Sequence, residues 1–171
     1  IGLQPKGNAG TYFQTFTFKP KTDPHAEVQF VAGDSTITGT NVIGYIDNQA
    51  AKTVIVGAHY DHLGMGGEGS LYADGEAIHN GADDNSSGVG VMLQLAEKLK
   101  DSIRSSNYLF IAFTGEEMGL LGSNFFSKNP TIDFEKANVS DNAFKKFFDT
   151  LAPAFGFQVS LGQINTTLLC P

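Results

Sequence analysis

At 171 residues with 41% hydrophobic content, the chain is one domain in size and has ample apolar material for a packed core. A formal net charge of −7 disfavours nucleic acid, which selects basic patches. The longest apolar runs, "TVIVGA" and "YLFIAF", fall far short of the roughly 20 residues of a membrane span, and the first residues lack the layout of a signal peptide. The single cysteine, Cys170, excludes an internal disulfide.

In chain order, "TYFQTFTF" and "HAEVQFV" read as edge or hairpin strands joined through the proline-containing "KPKTDP". "NVIGYID" and "KTVIVGAHYD" predict two more strands, the second central because its continuous apolar run suits a strand covered on both faces. "GVGVMLQLAEKLK" predicts a helix with Met92, Leu95, Ala96 and Leu99 on one face and Ser86 or Ser87 as its cap. A further buried strand, "YLFIAFTG", precedes a predicted helix "EMGLLGSNFFSK" that Asn129 and Pro130 stop. A last helix carries Phe144, Phe147, Phe148 and Leu151 on one stripe and leads into a strand, "FGFQVSL". Alternating strands and helices predict a layered α/β fold.

Three loops follow strands or precede helices, where such sheets keep their ligands. In "GAHYDHLG", His59 and Asp61 are two apart at a strand end and fall on one side, as suits a metal-bound imidazole whose other nitrogen donates to a carboxylate. In "HNGADDNSSGVG", Asp83 and Asp84 sit side by side before a helix: one aspartate can cap, and a second needs another reason, such as a cation. In "FTGEE", Glu116 and Glu117 are either acids favoured in a first helical turn or a divided pair, one holding a metal and one moving a proton. Each loop alone is ordinary. Together, in this order, they point to metal-assisted hydrolysis.

These same blocks, "GAHYDHLG", "NGADDNSSGVGVMLQLA" and "FTGEEMGLLGS", resemble the signature segments of the co-catalytic di-zinc aminopeptidases, the bacterial leucyl aminopeptidase and aminopeptidase Y type of zinc exopeptidase. The resemblance implies a three-layer α/β sandwich with a mostly parallel, mixed central sheet, forming one catalytic domain over residues 1–171. It implies hydrolysis of N-terminal residues from peptides, two zinc ions, a peptide substrate without nucleic acid or a membrane span, and a secreted or periplasmic location. Carried over by position, His59 binds one zinc, Asp83 bridges both, Glu117 binds the other, Glu116 is the general base and Asp61 orients His59. Asp84 receives no role, and a cis peptide bond is expected between Asp83 and Asp84. Two further ligands of the family, an aspartate in a block like "INLDMVG" and a later histidine, have no match: His25, His59, His62 and His79 all precede "FTGEE". The expectation is thus a fold truncated at its C-terminal part, with His62 and His79 as ordinary loop residues. Alternatives are an inactive remnant that binds peptide or a partner, and a glutaminyl cyclase on the same fold.

Overall fold

The computed structural model describes residues 1–20, 28–67, 70–72 and 74–133. Its five strands are β1 (Gln4–Pro5), β2 (Phe13–Phe18), β3 (Ile37–Ile46), β4 (Thr53–His59) and β5 (Asn107–Phe113), and its two long helices are α1 (Ser87–Leu99) and α2 (Leu121–Lys128). One sheet runs in the order β1-β3-β5-β4, with β2 also on β3. It is mixed: β4 pairs in parallel with β5, from Thr53 opposite Asn107 to His59 opposite Phe113. The β1, β2 and β5 pairings with β3 are antiparallel.

Helices cover both faces, which is why β4 and β5 are apolar at nearly every position. On one face Met92, Leu95, Ala96 and Leu99 of α1 pack on Val54, Val56 and Ala58 of β4 and on Tyr108 and Phe110 of β5. Burying each of the larger of these side chains contributes about 1.5–3 kcal/mol. On the other face the alternate residues Leu109 and Ile111 join Ile43, Tyr45 and Phe126 of α2. Beside them Phe16, Phe18 and Leu121 form a third cluster with Phe30 and Phe125, in which the Phe16 and Phe125 rings stack at 4.7 Å.

Four expectations change. The central strand is β5; β4 has no strand on its other side among the described residues. The first described residues of "HAEVQFV", from Val28 onward, form no strand, although the Lys19 N–H donates to the Gln29 carbonyl. Neither Ser86 nor Ser87 caps α1 with its side chain. The Asn85 Oδ1 does, accepting the Gly88 N–H at 2.9 Å, as an amide suits a helix entrance. Finally, α2 begins at Leu121 and not at Glu117, because Gly119 (φ 103°) and Leu120 (φ 58°) lie in left-handed backbone that a helix cannot continue through. The helix and strand expected beyond residue 133 lie outside the described residues.

A buried amide fixes the approach of α2 to the sheet. Asn41 of β3 is wholly buried; its Nδ2 donates to the Gln14 Oε1 at 3.0 Å and the Gly122 carbonyl at 2.9 Å. Its Oδ1 accepts the Thr114 N–H at 3.2 Å. Gly122 comes so close that an added Cβ would meet the Thr114 backbone at 2.5 Å. The segment from Thr114 to Gly122 is therefore clamped at both ends. Replacing Asn41 by alanine strands several buried polar groups, at about 1–3 kcal/mol each. A loss of about 3 kcal/mol in urea unfolding, read as a lower midpoint at unchanged slope, is the expected result.

Candidate metal centre

The loop ends meet at the carboxyl end of the parallel pair β4–β5. His59 is the last residue of β4. Its Nδ1 lies 3.1 Å from the Asp61 backbone carbonyl and 3.8 Å from the Asp61 carboxylate. A ring that donates from Nδ1 to this carbonyl turns an Nε2 lone pair outward. The sequence expectation had the carboxylate as acceptor; the carbonyl is the nearer oxygen. Asp61 instead reaches across to the next loop, where its Oδ2 accepts the Gly115 N–H. Its Oδ1 is buried without a hydrogen-bond partner. Asp61 thereby joins the His59 loop to the Glu116–Glu117 loop.

That second loop is a turn and not a helix start. The Gly119 and Leu120 N–H groups both donate to the Glu116 carbonyl, at 2.9 and 2.8 Å. Gly115 enters the turn at φ 69°. The paired glutamates precede α2 by several residues, so stabilisation by its dipole, which acts within the first turn, does not explain them. The Glu116 carboxyl is pushed above the usual carboxylate range, chiefly by burial. The nearby His59 opposes this, while Glu117, Asp84 and Asp61 add to it.

In the third loop the two neighbouring aspartates, Asp83 and Asp84, part company. Gly81 adopts left-handed backbone (φ 59°), and Ala82–Ser86 makes one wide turn into α1. Asp83 is drawn into the helix entrance, its carbonyl accepting the Ser87 hydroxyl at 2.9 Å. Asp84 stands in extended backbone (φ −119°, ψ 89°). Its Oδ1 lies 2.9 Å from the His59 Nε2. The structure thus brings Asp84, and not Asp83, to His59. The cis peptide bond also lies one residue later than expected, between Asp84 and Asn85.

Among the described residues two groups of side chains have donor atoms within 4.8 Å of one another: His59, Glu116 and Glu117, and His62, Asp84 and Glu117. Donors each about 2.1 Å from a tetrahedral zinc lie about 3.4 Å apart, so such clusters need only small adjustments to close on an ion. Imidazole with carboxylate oxygen is a donor set that suits zinc. Glu117 belongs to both groups, and Asp83 to neither. His62, expected to be an ordinary loop residue, approaches the Glu117 Oε1 through its Nδ1 at 2.6 Å. His79 is occupied elsewhere, with Nδ1 on the Ala77 carbonyl and Nε2 on the Ser70 hydroxyl. His62 stands three residues after His59 in the same strand-end loop.

Fold and site together define an α/β protein with imidazole and carboxylate donors gathered at the ends of a parallel strand pair. The chain belongs to Peptidase family M28, whose model matches residues 41–147. It is 37% identical over 103 residues to the alkaline phosphatase isozyme conversion protein of Escherichia coli (strain K12), covering 60% of this chain and 30% of that protein. It is 37% identical over 92 residues to aminopeptidase YwaD of Bacillus subtilis (strain 168), covering 52% of this chain and 17% of the relative. The solved structure of BSAP, a zinc aminopeptidase from Bacillus subtilis, is similar over 80% of this chain and 37% of that one, at 27% identity and a TM-score of 0.47. The chain spans under a third of the length of these two curated relatives. Among the described residues no helix is long and apolar enough to cross a membrane.

Proposed function

We propose that residues 1–171 form the metal-bearing part of a zinc aminopeptidase catalytic domain, acting on the N-termini of peptides. The observation that carries this reading is the convergence of His59, Asp84, Glu116 and Glu117 on one small volume. Membership of a peptidase family and the aminopeptidase named among the relatives supply the reaction class. His59, Asp84 and Glu117 hold zinc; when bound, zinc lowers the pKa of a water and polarises the scissile carbonyl.

The remaining work falls to the protein's own groups. Asp61 holds His59 with its Nε2 toward the site and ties it to the loop of the glutamates. Glu116 takes the proton of the attacking water and passes it to the leaving amine. A carboxyl held above its usual range is the better proton acceptor for that task. The choice of Glu116 over Glu117 as base rests on Glu117 belonging to both donor groups and Glu116 to one.

Dialysis of the chain against a chelator, followed by zinc titration and assay on an amino-acid anilide, tests the proposal. Tight zinc with anilide cleavage is expected. Tight zinc with peptide binding and no cleavage would favour the inactive remnant, and ammonia release from a peptide with N-terminal glutamine would favour the cyclase. A chain that holds no zinc would end the reading.

A further inference from the structure

We propose that His62 is itself a metal ligand, which with Asp84 and Glu117 makes a second ion position beside the one served by His59. The inference rests on the proposed metal chemistry and adds a residue that the sequence comparison with the aminopeptidase blocks left without a role.

Three observations carry it. A donor atom of His62 lies within 4.8 Å of donors from Asp84 and Glu117, a nitrogen with two carboxylate oxygens. That set fits a zinc-like ion, in which three protein ligands leave a position for water or substrate. The imidazole is also aimed at the shared carboxylate: its Nδ1 lies 2.6 Å from the Glu117 Oε1, and both side chains are only 22% exposed. Finally, the ring has a seat made for it. A Cβ on Gly81 would meet the His62 Cβ at 2.8 Å and its Cγ at 2.9 Å. Gly81 opens the turn that carries Asp84, so the glycine that lets His62 in also sets the aspartate of the same group.

His79 provides the contrast. Its ring centroid is 6.3 Å from that of His62, but both of its nitrogens are engaged by Ala77 and Ser70. His79 fastens its own loop, and His62 faces the carboxylates. The competing role for His62 is that of a hydrogen-bond donor that steadies Glu117 without touching an ion, as partners of metal-ligating carboxylates do.

Titration of the metal-free chain with zinc, followed by calorimetry, and with cobalt(II), followed by its visible spectrum, separates these roles. Two ions per unmodified chain are expected, and one in His62→Ala, whose remaining ion keeps its affinity within about tenfold, the low end of the change caused by losing a ligand's neighbour. His62→Gln, which retains a donor toward Glu117, is expected to behave as His62→Ala does. On zinc addition to the unmodified chain, a ring nitrogen of His62 is expected to move to the NMR shift of a metal-bound imidazole. Two ions bound by His62→Gln, or an unmoved His62 ring, would overturn the inference. A single ion per unmodified chain would overturn it while leaving the proposed function standing. No ion at all would overturn both.

Discussion

Replacing Glu117 by alanine is expected to abolish zinc binding, while replacing Asp83 by asparagine leaves it unchanged. Glu117 belongs to both donor groups, so its loss reduces each of them to two protein donors. A site that loses a neighbour of a ligand weakens by about 10–100-fold; one that loses a shared ligand should weaken by more than about 100-fold. Asp83 offers its carbonyl to Ser87 and its carboxylate to neither group. Asp84→Asn completes the comparison, because Asp84 faces the His59 Nε2 directly. It should lower zinc affinity severalfold or more, where Asp83→Asn does not. Calorimetric titration of the three variants measures the contrast. Zinc lost from Asp83→Asn and retained by Asp84→Asn would restore the assignment read from the sequence.

The contrast between these aspartates marks where sequence reasoning stopped. β4 and β5 were readable because both faces of the sheet are covered, which leaves a continuous apolar run as their signature. The stripe of Met92, Leu95, Ala96 and Leu99 was readable because one side of α1 packs on those strands. Local loop geometry carries no such period. Nothing in "GADDNSSG" says that Gly81 turns left-handed, that Asp83 enters the helix or that Asn85 supplies the cap. The same holds for "GEEMGLLG", where apolar spacing suggested a helix from Glu117 and two left-handed residues delay it to Leu121. His59, Glu116 and Glu117 were singled out by chemistry and position together, and the fold brings their donor atoms within 4.8 Å of one another. The approach of His62 to Glu117 had no sequence signature, because Gly81 and Glu117, which meet it in the fold, are both distant from it in sequence.

The buried Asn41 amide connects this fold to its chemistry. It holds Thr114 and Gly122, the residues flanking the glutamate turn, against β3. Asp61 holds Gly115 from the opposite side. Two carboxylates placed side by side repel, and a turn fixed at both ends keeps them converged before any cation arrives.

Glu116→Gln is expected to lower turnover by about 10²–10⁴-fold, the range for losing a general base, with zinc stoichiometry unchanged. The amide keeps the size of the carboxyl and removes its capacity to take a proton. The same substitution should leave the metal-free fold as stable as before or more so at neutral pH. The Glu116 carboxyl is held above its unfolded value, chiefly by burial. A group shifted in that direction favours the folded state only below the unfolded pKa, and this contribution is lost as pH rises through the folded pKa. A neutral amide in its place removes the desolvation and the carboxylate repulsion that raise it. Anilide turnover measured beside urea unfolding of the metal-free protein separates the two effects. Turnover that falls together with folded stability would assign Glu116 a structural role, and zinc lost from Glu116→Gln would make it a ligand. Turnover lost from a fold that holds its stability and its zinc is the outcome that a proton-transferring carboxylate, set beside Glu117 for that purpose, requires.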